Sequence, residues 1–387
     1  MPIDKSTFCL APWFSVFLDS RKKIAPCCAI EGERKYSYNQ LTEYFNSSEL
    51  QTLRHDLLNG VKNKNCDTCW KQEESSGDSL RLITNRTIGL FTSGSLSDQI
   101  ADPKVSNIKS FDLTLGNLCN LKCVMCSPTL SSQLLAEANL NPHLHERYGE
   151  KYNQGDFDWP KQMDFVKWCN KNLPQAVHIK FTGGEPFIIP WIGDAIEHIP
   201  DDQKKNCVLH FTTNLTTINE KLLHTFRKFK QVWLSVSVEG EGDTFEYIRY
   251  GHKWKTLTDN IGFIQDMNVE NLVLSISHVL QAPSYHSIIA MTKYFDDKNI
   301  SIRPIMVEGP EHLHISSLTK KAKLQFLADT QDYAGYNKKF IDYVRNNTEL
   351  HIDQDKGLTK KLVTHLSDFD KVRKNSYKDI IPVENLL

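Results

Sequence analysis

From about residue 106 to 310 the chain alternates short apolar runs with amphipathic stretches. The runs Ser110–Leu115, Val177–Thr182, Val208–Thr213, Val232–Glu239, Leu272–Leu280 and Ser301–Val307 predict strands. The stretches near 161–172, 190–198, 218–229, 254–267 and 285–298 predict helices between them. Strands separated by helices of this length imply crossover connections and a parallel sheet. Six such units suit an open α/β barrel, (β/α)6, related to the eight-stranded one, with its chemistry at the C-terminal ends of the strands.

The flanks read differently. Within residues 1–95, Trp13–Leu18 alternates like a strand, Asp19–Lys23 turns it, and Ile24–Cys27 returns. A helical stretch around Leu50–Leu58 then leads to Cys66 and Cys69. So little apolar content between cysteines suggests a small domain stapled by metal. Residues 106–310 form the expected barrel, and 311–387 a charged, helical C-terminal extension.

Charge adds mainly exclusions. With 46 Lys+Arg against 47 Asp+Glu, bulk electrostatics give no reason to expect a nucleic-acid or anionic-membrane partner. The seven Trp scatter without a stacking stripe. The N-terminus lacks a secretory pattern, and no apolar run approaches the roughly 18 residues that span a bilayer. The expectation is a soluble, cytoplasmic protein with no membrane partner.

In a reducing compartment, clustered cysteines bind metal or do redox work more often than they form disulfides. Of ten cysteines, Cys9, Cys27, Cys28, Cys66 and Cys69 lie in the first fifth, Cys119, Cys123 and Cys126 form a triplet, and Cys169 and Cys207 stand alone. The triplet has C-x3-C-x2-C spacing. Three thiolates on one compact loop can ligate three irons of a [4Fe-4S] cubane and leave the fourth iron open. A zinc site normally takes four protein ligands, or three plus water, and this loop contains no His. The triplet follows the first barrel strand, and Gly183-Gly184-Glu185-Pro186 follows the second, so both fall on the C-terminal face.

That spacing, just after a first strand, resembles the signature of the radical S-adenosylmethionine (SAM) superfamily. The resemblance implies an open (β/α)6 radical SAM partial barrel in which Cys119, Cys123 and Cys126 hold the cluster that cleaves SAM. Gly183, Gly184, Glu185 and Pro186 resemble the family's GGEP motif, whose backbone binds the methionyl ammonium; only a bare backbone approaches so closely. Asn214, in Thr213-Asn214, resembles the TNG-type turn, with Leu215 in place of Gly. Ser235, Ser237, Glu239 and Gly240 followed by Arg249 resemble the SxDG…R segment of peptide-modifying members. There the Ser and Arg contact the SAM ribose and carboxylate, which implies these roles for Ser237 and Arg249. Glu239 stands where Asp is usual, and the plainer alternative is a strand-end Ser and a surface Arg. Met125 replaces an aromatic and would shield the cluster.

The N-terminal cysteines resemble the auxiliary-cluster domains called SPASM and twitch, moved to the front of the barrel. Cys9, Cys27, Cys66 and Cys69 would close a second [4Fe-4S] cluster, of the single-cluster twitch type. Cys28 is the rival to Cys27, and a zinc knuckle is the rival to iron–sulfur. Lys22 occupies the position, five residues before the pairing Cys, where the family usually has Gly; this suggests another turn type.

Of the remaining residues, Cys169 and Cys207 read as core packing. His278 is either an acid/base or a hydrogen-bonded structural ring. Arg303 and Glu308 bracket the sixth strand as SAM or substrate contacts, or as a surface pair. The resemblance implies an enzyme that generates a 5′-deoxyadenosyl radical and takes hydrogen from a peptide or modified amino acid, with a flavodoxin or ferredoxin as electron donor. Modification of a small metabolite is the alternative. Two further rivals are a two-cluster electron carrier, which would have no use for a GGEP turn, and a zinc-stapled binding module.

Overall fold

The computed structural model describes residues 6–77, 79–89, 100–101, 103–148, 155–307, 309–354 and 357–382. The six apolar runs become strands β3 (Ser110–Thr114), β4 (His178–Thr182), β5 (Val208–Thr213), β6 (Gln231–Ser237), β7 (Leu272–Leu280) and β8 (Ser301–Met306). Two more precede them, β1 (Ser15–Leu18) and β2 (Ile24–Ala25), built from the expected N-terminal hairpin. The fold is α/β with mostly parallel strands. Its contacts divide it into two compact units, neither continuous in sequence. The first comprises Met1–Gly116, Asp156–Phe211 and Lys221–Val232; the second comprises Asn117–Gly155, Thr212–Glu220 and Trp233–Leu387.

In the first unit the strand order is β2-β1-β3-β4-β5. β1 pairs antiparallel with β2 but parallel with β3, with Val16 opposite Phe111 and Leu18 opposite Leu113. The N-terminal hairpin therefore continues the sheet, which the reading of residues 1–95 as a separate domain did not include. Nor is that segment short of apolar packing: Phe8, Leu10, Trp13, Phe14, Ile88 and Ile100 form a buried cluster. The expected boundary near residue 95 lies outside the described residues.

Side chains alternate across β3, β4 and β5. Phe111, Leu113, Ile179, Phe181, Leu209 and Phe211 are fully buried on one face, and helix Met163–Asn172 packs there, with Trp168 edge-on to Phe111 at 5.9 Å between ring centroids. The other face carries Ser110, Asp112, Thr114, His178, Lys180, Thr182 and His210. Parallel strands buried on both faces usually read as continuous hydrophobic runs, so this polar face is informative.

In the second unit the order is β6-β7-β8, with β7 and β8 parallel. Helices Trp254–Asp266 and Ile288–Asp297 bury Leu257, Ile261 and Ile264, and Ile288, Met291 and Phe295. The C-terminal residues belong to the same unit and form helices Lys320–Asp329, Lys338–Leu350 and Leu358–Arg373. Their apolar faces, with Phe326, Phe340, Val344, Leu362, Leu366 and Phe369, are buried. Among the described residues no helix is long and apolar enough to cross a membrane.

Candidate active site

The triplet lies on an irregular loop that leaves β3 and is fastened at several points. The Lys122 and Val124 amides donate to the carbonyls of Tyr250 (3.0 Å) and Ile248 (2.8 Å), which flank Arg249. Ser131 Oγ donates to the Leu121 carbonyl at 2.6 Å. The C-terminal helix supplies two more ties: Arg373 Nη2 donates to the Lys122 carbonyl at 2.6 Å, and His365 Nε2 to the Val124 carbonyl at 3.0 Å. Helix Leu358–Arg373 thus holds the loop from the far end of the sequence. Arg373 is itself fixed by a buried ion pair with Glu137 at 2.8 Å.

Cys119 and Cys123 are buried with Leu121, and Met125 and the partly exposed Cys126 pack against them. Asn214 Nδ2 stands 4.0 Å from Cys119 Sγ, and Arg249 Nη1 stands 3.9 Å from Cys123 Sγ. Burial pushes the Cys123 thiol up, against the pull of Arg249. Burial also raises Cys126, and the other two thiols add to the effect. Buried thiols of this kind give up their protons when a metal takes their place. Two N–H donors aimed at two of three grouped sulfurs suit a thiolate-bound cluster, so the residues present fit one.

Asn214 follows β5 in a tight turn. Its Oδ1 accepts from the Thr216 amide at 2.9 Å, its carbonyl accepts from His252 Nε2 at 3.1 Å, and Leu215 follows with φ at 52°. A Gly at that position would adopt this left-handed backbone freely; Leu215 pays its steric cost by being wholly buried. Arg249 is not a surface residue. Its Nε and Nη2 bind Glu239 at 2.5 and 2.9 Å, and the Glu239 side chain is completely buried. Glu239 Oε1 also accepts from the Val279 amide at 3.3 Å. Ser237 ends β6, half-buried.

The Gly183-Gly184 turn belongs to the first unit. Both glycines have positive φ, 74° and 55°. A Cβ on Gly183 would lie 2.1 Å from Thr114 Cγ2, so the turn can pass the end of β3 only without a side chain. Glu185 is buried, and its Oε1 caps the turn Pro186–Ile188 by accepting from the Phe187 amide at 3.0 Å.

The N-terminal thiols of Cys9, Cys27, Cys66 and Cys69 line one small cavity, closed by Ala11, Ala29, Ile30, Leu80, Arg81 and Thr84. Cys28 is not among its walls and instead acts electrostatically on Lys180. Burial pushes Cys9 and Cys66 up to about 12, and Arg81, ion-paired to Glu73, stands as a nearby cation. Four thiols around one cavity fit a cluster. Among the described residues, no group of three or more His, Cys, Asp or Glu is arranged to hold a single metal ion; a cubane spreads its thiolates over several irons. The hairpin before Cys27 keeps a left-handed residue, Lys22 at φ 70°, without needing Gly. Asp19 Oδ1 accepts from the amides of Arg21 and Lys23, each at 2.9 Å, and Lys22 Nζ reaches Asp156 at 2.9 Å.

Cys169 and Cys207 are buried. His278 is wholly buried, bonded through Nδ1 to the Val238 carbonyl at 2.9 Å, with its ring edge-on to Phe340. That is the hydrogen-bonded structural ring, not an acid/base facing open space. Arg303 is exposed on β8, and Glu308 lies outside the described residues.

Sequence reasoning missed two groups. Arg373, His365 and Glu137 lie in segments without a motif, and only the fold brings them to the loop. The second is the polar face of β3–β5, where Lys180 Nζ pairs with Asp112 Oδ2 at 3.1 Å beside Ser110–His178 (2.9 Å) and Thr114–Thr182 (3.0 Å). Asp112 Oδ1 is buried without a hydrogen-bond partner among the described residues. Asp112, Lys180 and His210 each interrupt an apolar run, which is the signal that could have found them.

Comparison with known proteins shows what the chain is similar to. The model of the Radical SAM superfamily matches residues 113–294, which include the triplet, the Gly-Gly turn, Asn214 and Arg249. Over those residues, a little under half of its length, the chain is similar to the Radical SAM superfamily. An uncharacterized protein of Methanocaldococcus jannaschii is 24% identical over 216 residues, 54% of this chain and 67% of its own length. Among solved structures, native anSMEcpe with bound AdoMet shares 17% identity, covering 57% of this chain and 58% of its own, at a TM-score of 0.37. SuiB of Streptococcus suis bound to S-adenosylmethionine shares 14%, covering 70% of this chain and 60% of its own, at a TM-score of 0.40. The chain thus spans about three fifths of the length of these two structures, and likeness at this level does not carry their reactions over to it.

Proposed function

We propose that the protein binds a [4Fe-4S] cluster through Cys119, Cys123 and Cys126, uses it to cleave SAM, and abstracts hydrogen from a peptide or modified amino acid. The observation that carries this reading is the loop itself: three grouped thiols, pinned by Ile248, Tyr250, His365 and Arg373, with N–H donors on two sulfurs. When bound, the cluster supplies one electron that splits a C–S bond of SAM into methionine and a 5′-deoxyadenosyl radical, which takes a substrate hydrogen atom.

The chain's own residues do the rest. Gly183 and Gly184 are half-exposed, and Glu185 caps the turn that Pro186 begins; this supports seating of the SAM amino acid portion there. Met125 covers the triplet on one side. Cys9, Cys27, Cys66 and Cys69 would hold a second [4Fe-4S] cluster in the manner of a twitch domain, taking an electron from the substrate or binding it. The partly exposed Lys180–Asp112 ion pair would suit a polar substrate. A two-cluster electron carrier would have no use for that face. Anaerobic incubation with SAM, dithionite and candidate peptides tests the proposal, with 5′-deoxyadenosine and peptide mass as readouts. No deoxyadenosine from a brown, iron-loaded protein would sink it.

A further inference from the structure

The resemblance assigns Arg249 to the SAM carboxylate, but the folded side chain is already committed. One edge of its guanidinium, Nε and Nη2, is taken by both oxygens of Glu239 at 2.5 and 2.9 Å. The remaining nitrogen, Nη1, faces Cys123 Sγ at 3.9 Å. The carboxylate is wholly buried and the arginine nearly so, with side chains 0% and 9% exposed. A carboxylate so held fixes the plane of the arginine, and the plane directs the third nitrogen at the sulfur. Glu239 is fixed in turn by the Val279 amide at 3.3 Å. On the neighbouring sulfur, Asn214 Nδ2 points at Cys119 from 4.0 Å and is steered by the Asn120 side chain at 3.0 Å.

We propose that Glu239 and Arg249 are positioning residues that set the reduction potential of the cluster on Cys123. This rests on the reading that the triplet holds that cluster. Iron–sulfur potentials respond to hydrogen bonds on the sulfurs, net charge and exposure. An electron entering the cluster adds negative charge beside Cys123. The buried cation favours that state, and the buried anion behind it tempers the effect. A Glu carries one methylene more than an Asp, and here its carboxylate lies on the arginine.

The test is a redox titration of full-length, iron-reconstituted protein, following the electron paramagnetic resonance signal that responds to added SAM. Arg249→Gln should shift reduction about tenfold against the reduced cluster, which is about 59 mV for one electron. Glu239→Gln should shift it the other way, and the double variant should fall between the two. SAM affinity of Arg249→Gln should stay within about threefold of the wild type, by the same fold-change scale. Single variants that shift in the same direction, or a loss of SAM affinity without a shift in potential, would overturn the proposal. If Arg249→Gln cannot hold iron because Glu239 is left unpaired, Glu239→Gln compared with the double variant still isolates the cation. Iron loss from that folded double variant as well would make the pair merely structural and end the idea. A wild-type protein with no SAM-responsive signal would instead refute the assignment of the triplet.

Discussion

Replacing Gly183 by Ala tests whether the turn after β4 is a seat built for close approach. Two costs can be worked from the structure. The backbone there has φ of 74°, a region that costs an L-residue about 1–2 kcal/mol. The new Cβ would stand 2.1 Å from Thr114 Cγ2, 3.1 Å from its Cβ and 3.3 Å from its Cα, and overpacking of this kind costs about 1–3 kcal/mol. Together they amount to about 2–5 kcal/mol, relieved by letting the turn move. The fraction of molecules with the native turn then falls, and apparent SAM affinity falls with it. Even the lower end corresponds to a loss of roughly thirtyfold. Isothermal titration of SAM into the anaerobic protein measures it, with iron content as the control, because the cysteine loop has its own fastenings. Thr114→Ser removes the clashing methyl yet keeps the hydroxyl that meets Thr182 at 3.0 Å. The pair Thr114→Ser with Gly183→Ala should therefore recover the overlap part and leave about tenfold weaker binding from backbone strain. Unchanged affinity and melting temperature in Gly183→Ala would refute the reasoning.

Other expectations follow from single contacts. Cys27→Ala should strip iron from the N-terminal cavity, whereas Cys28→Ala should keep it, read by iron content and the visible spectrum; the reverse result would reassign the ligand. Arg373→Ala leaves Glu137 buried, so it should cost about 3–5 kcal/mol, with the lower end expected because Lys122 also reaches Glu137 at 3.1 Å. It should also loosen the triplet loop, seen as a lower melting temperature together with faster iron loss to a chelator. Burial, with Lys180 beside it, depresses His178 from 6.5 to about 3. Below about pH 6.5 the unfolded chain then binds the extra proton, and stability falls toward about pH 3 by up to about 1.4 kcal/mol per pH unit. His178→Asn should flatten that slope in iron-free protein, measured by urea unfolding across pH 4–7; an unaltered slope would show that other groups carry it.

The strands were legible because each is an apolar run of the right length between amphipathic segments, and a parallel sheet needs little more. Cys119, Cys123 and Cys126 and the Gly183-Gly184 pair were legible because each is local: a loop of closely spaced thiols and a side-chain-free turn are both written in nearby residues. The role of Arg249 was not. Sequence offers a cation some distance after Ser237, while its partners, Glu239 and Cys123, are chosen by where β6 and the loop meet.

The sequence by itself therefore determined the sheet, the triplet and the Gly-Gly turn. It also showed that Leu215 and Lys22 stand where Gly was expected, but only the backbone reveals that both keep the left-handed geometry. Tertiary structure alone decided that β1 extends the sheet beside β3, and that Cys27 rather than Cys28 faces Cys9, Cys66 and Cys69. It also decided that His365 and Arg373 hold the Cys loop from the C-terminal helix. The physical reason is common to these cases. Burial and hydrogen-bond pairing join residues far apart in the chain, and no local pattern encodes which partner a side chain will find.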